Sequence, residues 1–230
     1  TLDESAFGFT SRLEFVSLSP NMKEIPNNAF SCSGSASYIL NGKDEYDDQS
    51  KDVLQIAYTD ATAAESKLET IGDSAFNASA VYDDTFLKGL THLTSIGQAA
   101  FSYTDFTELN IPSSVETLGT KAFNACSSLT EVNFNEGSKV TEIPDSCFGS
   151  EKEPTKKNNS ITVYSCIQLN TVRLPEQLVR IGSSAFQNCY GLNTVYTTGK
   201  EKKEGTLSFP STLVEIGKQA FKKVSLYSYN

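Results

Sequence analysis

Apolar positions repeat along this chain as a six-residue phrase, Ile-Gly-x-x-Ala-Phe, at residues 71–76, 96–101, 181–186 and 216–221 and, with Leu118 for Ile, at 118–123. Variants stand at 25–30 and 143–148, where Pro26 and Pro144 replace the Gly and Cys147 replaces the Ala, and a frayed copy opens the chain at 2–7. Successive phrase Phe residues (Phe7, Phe30, Phe76, Phe101, Phe123, Phe148, Phe186 and Phe221) are 23, 46, 25, 22, 25, 38 and 35 residues apart. A unit of about 23 residues, lengthened by insertions in three places, is too short to close its own core and must bury its apolar side against neighbouring copies.

Upstream of the phrase runs a second pattern, with apolar residues at positions 1, 4 and 6 and often Pro behind them: Leu13-Val16-Leu18, Phe106-Leu109-Ile111-Pro112, Leu129-Val132-Phe134 and Leu169-Val172-Leu174-Pro175. The two-residue period puts Val172 and Leu174 on one face of a short strand and Thr171 and Arg173 on the other. Proline, lacking an N–H, ends the pairing. Pro112, Pro175 and Pro210 each precede the first residue of the phrase by six, and an extended stretch such as Leu178-Val179-Arg180-Ile181 fills that interval. Gly or Pro then bends the chain, and small polar residues ahead of Ala-Phe (Asp73-Ser74, Ser183-Ser184) predict one helical turn that drops the Phe inward. Each unit is thus strand, bend, strand, turn.

Stacked units predict a right-handed leucine-rich-repeat solenoid, β-rich, with a parallel sheet, one short helical or 3-10 turn per coil and seven or eight coils forming one domain over 1–230. At ~4.8 Å per strand such a stack is roughly 35 to 40 Å long. The structural rungs are Phe30, Phe76, Phe101, Phe123, Phe148, Phe186 and Phe221, with Cys126, Cys166 and Cys189, each three residues before a strand Leu, as one rung position of successive coils. Insertions fall near 33–52, 150–163 and 197–207. The last, with Tyr196-Thr197 and Thr206-Leu207 flanking Gly199 to Gly205, reads as a protruding hairpin. The chain opens inside a coil and stops soon after Phe221, which implies a fragment or unusual caps, with Leu226, Tyr227 and Tyr229 as a final rung.

These residues carry a resemblance. The run Cys-x-x-Leu-x-x-Val-x-Phe/Leu-Pro, followed by Leu-x-x-Ile-Gly-x-x-Ala-Phe-x-x-Cys and best seen at 126–148 and 166–189, is similar to the repeat of the BspA-like, or Treponema-type, leucine-rich-repeat family of bacterial surface proteins. The resemblance implies a secreted or lipid-anchored cell-surface protein that adheres or binds protein and has no catalytic site. The insertions and the poor strand pattern between Tyr82 and Leu93 depart from the family and count against a smooth concave sheet.

Composition narrows the chemistry. With 28 acidic and 19 basic residues the net charge is -9, so the cationic footprint of a nucleic-acid binder is absent. No run of about 18 apolar residues predicts a membrane span, and residues 1–11 do not read as a signal peptide, so any targeting segment was removed or lay outside this chain. One His (His92) without a spacing partner leaves little for acid–base or zinc chemistry. The cysteine row reads as a metal or redox ladder or as small buried hydrophobes; burial is favoured, with thiols inert to polar alkylating reagents. Asp44, Glu45, Asp47 and Asp48 offer oxygen ligands for calcium but not its loop spacing, and read as a solvated loop. Lys152, Lys156 and Lys157, and Lys200, Lys202 and Lys203, interleave with Glu, lack nearby aromatics and read as solubilising tips. Asn77-Ala78-Ser79 and Asn158-Asn159-Ser160 are glycosylation sequons that carry meaning only in a glycosylating host. No cofactor and no metal are expected.

What remains is the surface. The outward residues of the first strands, Phe15 with Ser17, Glu108 with Asn110, Glu131 with Asn133, Thr171 with Arg173 and Thr194 with Tyr196, form an aromatic and polar strip on the concave face that core packing does not need, and this is the expected protein-binding site. Two other readings stand beside it: a structural spacer displaying another domain, and an accessory domain of a carbohydrate-active enzyme. An enzyme would have to use a carboxylate pair such as Glu108 and Glu131, one coil apart. Partner identity and oligomeric state are not legible.

Overall fold

The computed structural model describes residues 2–34, 54–58, 62–82, 84–153, 155–157 and 160–225. The phrase Phe residues form one continuous row: rings of Phe7, Phe30, Phe76, Phe101, Phe123, Phe148, Phe186 and Phe221 stack with centroids 5.1–5.6 Å apart and planes within 14° of parallel. That spacing is close to the distance between hydrogen-bonded strands, so each coil contributes one ring and each ring covers the last. We name the coils by these residues. From Phe30 to Phe186 the rings are essentially inaccessible to solvent, while Phe221 and Phe7 at the two ends are partly exposed.

Coils bond to one another on three sides. On the first side run the first strands. Phe15–Leu18 pairs in parallel with Gln55–Tyr58, and farther along Glu108–Ile111, Glu131–Phe134, Thr171–Leu174 and Thr194–Thr197 pair in register. Leu109, Val132, Val172 and Val195 line up on the inward face of the longer sheet, all fully buried. The second side carries two-residue strands. Ile25, Ile71, Ile96 and Leu118 are in register in one parallel sheet, and Ile143, Ile181 and Ile216 in another.

Glycine in the phrase is required by close approach. A Cβ at Gly72, Gly97, Gly119, Gly182 or Gly217 would lie 2.3–2.7 Å from a backbone N of the coil before. Each of these glycines also donates its N–H to the phrase Ile carbonyl of that coil, as in Gly97 to Ile71 at 2.8 Å and Gly182 to Ile143 at 2.7 Å. Pro144 has a Cβ and no N–H to give, and the second-strand sheet ends between Leu118 and Ile143, immediately before it.

The third side holds the phrase Phe residues, and here the structure corrects the helical turn expected from Ser-Ser-Ala-Phe. Two residues take left-handed backbone angles in each coil but that of Phe148, the fourth of the phrase (Asn28, Ser74, Ala99, Lys121, Ser184) and the second after Phe (Cys32, Ala78, Tyr103, Ala125, Asn188); in the Phe148 coil Ser146 alone does so. Amides then alternate. Ala75, Asn77 and Ser79 bond three residues back within the coil, whereas Ser74, Phe76 and Ala78 reach Gln98, Ala100 and Ser102 of the next. Among the described residues fifteen non-glycine residues have positive φ, a conformation that costs an L-residue free energy in isolation; here the bonds between coils hold it. The one helix among the described residues, a 3-10 turn at Ala63–Glu65, lies outside the phrase.

Two insertions take definite form. Residues 150–163 include an antiparallel pair, Thr155–Lys157 with Ser160–Thr162. The segment after Thr197 is not the expected hairpin: Leu207 pairs with Val195 in parallel, with the Val195 amide on Thr206 and the Ser208 amide on Val195. The chain therefore loops out and returns as a further rung on the first-strand side. The stretch 35–53, most of the first insertion, lies outside the described residues, as do Asp44, Glu45, Asp47, Asp48, Asn158, Asn159, Leu226, Tyr227 and Tyr229.

Candidate binding face

The outward residues of the first strands fall in two rows fixed by register. One runs Phe15, Gln55, then after an interruption Glu108, Glu131, Thr171 and Thr194; the other runs Ser17, Ala57, then Asn110, Asn133, Arg173 and Tyr196. Phe15, Ser17 and Glu108 are exposed, and Asn110, Glu131, Asn133, Arg173 and Tyr196 half-buried. Thr171 and Thr194, expected in the strip, are withdrawn from it at 2% and 1% exposure. The loop after Thr197 is the reason. The Gly205 amide donates to Thr194 Oγ1 at 3.2 Å, and Lys202 Nζ reaches Glu131 Oε2 at 3.9 Å, two strands away, so the loop crosses the intervening Thr171. Sequence reasoning had no means of seeing this, because the cover comes from an insertion whose path is not periodic.

Charge distinguishes the two strand faces. On the second-strand side opposite charges meet across coils: Lys23 with Glu69 at 2.7 Å, Lys139 with Glu116 at 2.8 Å, and Arg180 with Glu142, Asp145 and Glu215. On the first-strand side Glu108 stands in register beside Glu131, a like-charge neighbour that strand pairing disfavours. Among the described residues Lys202 is the cation paired with either, through its long contact with Glu131. Arg173 has no ion pair among the described residues, and its Nε is buried without a hydrogen-bond partner. Polar groups left in this state on an open face are suited to an external partner.

The interruption between the two halves of this face has its own structure. Where the Phe101 coil has no first strand among its described residues, Asp84, 3% exposed, takes over the edge of Glu108–Ile111: its Oδ2 accepts from the Asn110 amide at 2.7 Å and from Asn110 Nδ2 at 2.9 Å, while Oδ1 pairs with Lys88 at 3.1 Å. Beside it lies a hollow of about 170 Å³ lined by Phe15, Gln55, Ile56, Ala57, Tyr82 and Phe86, with Leu54 and Val81 at its base. No motif in the sequence announced Asp84 or the hollow; a weak strand pattern was the only signal.

The cysteines belong to the core. Sγ of Cys126, Cys166 and Cys189 donates to the carbonyl of Phe101, Phe123 and Phe148, at 3.2, 3.1 and 3.6 Å, so the three occupy equivalent places. The same position, three residues after Phe where no insertion intervenes, is held toward the N-terminus by hydroxyls: Ser79 donates to Phe30 O at 2.6 Å and Ser33 to Phe7 O, both of the coil before, and Thr104 to Phe101 O of its own coil at 2.8 Å. Burial pushes the Cys147, Cys166 and Cys189 thiols up. All five cysteines are free, and among the described residues no cluster of three or more metal-ligating side chains occurs. His92 is exposed, with Nδ1 within 3.1 Å of Thr91 Oγ1 and of Ser66 O. Lys152, expected without aromatic company, lies 5.2 Å from the centre of the Tyr164 ring.

A family model described as the BspA type leucine-rich repeat region matches in six copies, over residues 1–95, 55–162, 94–204 and 155–230. Among solved structures, the pneumococcal vaccine antigen PcpA is 20% identical with a TM-score of 0.53, the alignment covering 89% of this chain and 56% of that one. A leucine-rich-repeat protein from Bacteroides ovatus is 23% identical (TM-score 0.44; 74% and 39% covered), and that of T. pallidum 22% identical (TM-score 0.48; 82% and 69%). The likeness to PcpA shows the fold. No curated protein matches the chain significantly.

Proposed function

Because this chain belongs to the BspA-type leucine-rich-repeat family, we propose that it is a binding module of a bacterial cell surface that engages a protein partner through the concave, first-strand face and performs no catalysis. The observation that carries this reading is the contrast in charge: Glu108, Glu131 and Arg173 are left poorly matched on one strand face, while Arg180 is surrounded by carboxylates on the other. The sequence family and the fold shared with a vaccine antigen support exposure outside the cell. Glu108 and Glu131 lie side by side on an open sheet, without the enclosure that raises the pKa of a glycosidase acid, which favours binding over hydrolysis.

The test is capture from a panel of purified extracellular-matrix proteins and of surface proteins of co-resident bacteria, comparing the native chain with one carrying Glu131→Ala, Arg173→Ala and Tyr196→Ala. Loss of a captured protein with the triple variant, at unchanged thermal midpoint, supports the face. Equal capture by both removes it and leaves the insertions, or a spacer role, as the account.

A further inference from the structure

The hollow at the interrupted sheet sits between two features of opposite character. On one side Phe15 and Tyr82, 56% and 39% exposed, stand over Phe86 and Val81, which are buried. These two large aromatics stand half in water beside a cavity, and a partner's apolar side chain covers them at a gain proportional to area. A hollow of about 170 Å³ admits one such side chain. On the other side, along the same row, come Glu108 and Glu131, adjacent carboxylates with one distant Lys between them. A cation placed there relieves their mutual repulsion as well as gaining its own attraction.

From these we infer that the hollow receives an apolar anchor of an extended protein segment whose next recognised residue is basic and lies over Glu108 and Glu131. The inference rests on the first-strand face being the binding face, and it deepens that reading by locating the anchor and giving the partner's charge. The row also sets the spacing. From the Gln55 strand to the Glu108 strand is two coil steps, about 10 Å at ~4.8 Å each, which a segment in the extended polyproline II conformation covers in three residues at about 3.1 Å per residue, one turn that brings residues three apart to the same side. The favoured segment therefore reads apolar-x-x-Lys or apolar-x-x-Arg, in one chain direction or the other.

End-blocked Gly/Ser peptides of about 12 residues, carrying one Phe and, three residues before or after it, Lys, Glu or Ser, test this when titrated into the full chain. The Phe/Lys peptide binds about tenfold more tightly than Phe/Glu, with Phe/Ser between, as expected for one partly shielded charge contact. The preference vanishes in 1 M salt, where screening acts within about 3 Å. Glu108→Gln with Glu131→Gln removes the preference without abolishing binding, and Phe15→Ser with Tyr82→Ser abolishes binding of all three, both at unchanged thermal midpoint. The inference falls if the Phe/Glu peptide binds as well as Phe/Lys, if no peptide saturates at millimolar concentration, or if a neutral glucan hexamer binds through Phe15 and Tyr82 where the peptides do not. If binding survives Phe15→Ser with Tyr82→Ser but is lost in the Glu131, Arg173 and Tyr196 triple variant, the hollow is excluded and the face reading stands. Survival in both sets removes the two together.

Discussion

On the first-strand side the ladder stops between Gln55–Tyr58 and Glu108–Ile111, in the Phe101 coil; on the second-strand side it stops between Thr117–Leu118 and Glu142–Ile143, in the Phe148 coil. The first break is the loss of a whole strand, patched by the Asp84 side chain, and it opens a hollow. The second falls at one residue, Pro144, which carries a Cβ and has no N–H to donate. The two breaks fall in different coils, and neither coil is broken twice. Ser95 of the Phe101 coil is paired to Thr70 and Thr117 on the second side, and Glu131–Phe134 of the Phe148 coil is paired on both edges on the first. A stack held on three sides tolerates the loss of one, and that tolerance lets a hollow open beside a continuous core.

If this is right, the element common to both broken coils matters most. Phe123 lies between them, stacked on Phe101 and Phe148 and fully buried. Phe123→Ala is expected to cost about 3–5 kcal/mol through lost burial and a cavity, the largest effect of any substitution considered, measured by denaturant unfolding. Hydrogen exchange should show lost protection centred on the Phe101 and Phe148 coils and fading toward the ends, because each coil contacts only its neighbours. Uniform loss along the chain would contradict the one-dimensional stack.

A smaller effect should follow from copying the Pro144 break one coil further. A Cβ at Gly182 lies 2.5 Å from Asp145 N, so Gly182→Ala forces the Phe148 and Phe186 coils apart at a cost of about 1–3 kcal/mol, as overpacking does. The amide of residue 182, bonded to Ile143 O at 2.7 Å, should lose its exchange protection. Retained protection with unchanged stability would mean that the glycine is incidental.

How far these features were legible divides along the same line. The phrase, its spacing and the inward Phe, Ile and Val positions were readable because burial against identical neighbours imposes the same residue at the same place. Glycine was read as a bend, whereas its use is room for the next backbone. The turn side was misread as helical because Ser and Asp before Ala-Phe resemble an N-cap, and a left-handed residue held by the neighbouring coil has no signature within a single coil. The strand Gln55–Tyr58 was missed behind an insertion that hides its offset from the phrase. Burial of Thr171 and Thr194 depends on Gly205 and Lys202, 34 and 31 residues from Thr171 in sequence, which no period reveals.

The patch over the first break can be removed without touching the core. Asp84→Ala leaves the Asn110 amide unpaired at a buried edge and is expected to cost about 1–3 kcal/mol. Asp84→Asn, which keeps an acceptor of the same shape and loses the Lys88 pair, should cost less. Equal costs would assign the effect to the ion pair with an exposed Lys, which is worth little on general grounds, and would argue against Asp84 standing in for a strand.

The second break, by contrast, is open to repair. Pro144→Gly restores a donor opposite Leu118 O and removes the Cβ that keeps the coils apart, joining the two second-strand sheets into one. The new hydrogen bond contributes about 0.5–1.5 kcal/mol, and the extra freedom of glycine in the unfolded chain offsets about 0.4–1 kcal/mol of it, so the net change in stability should be under about 1 kcal/mol. The informative measurement is therefore local. The residue 144 amide should exchange as slowly as that of Gly119 or Gly182, which make the equivalent bond to Ile96 O and Ile143 O. Fast exchange at residue 144, with the Gly119 and Gly182 amides protected, would show that the separation of Leu118 from Ile143 is set elsewhere in the Phe148 coil, and that proline follows the break instead of causing it.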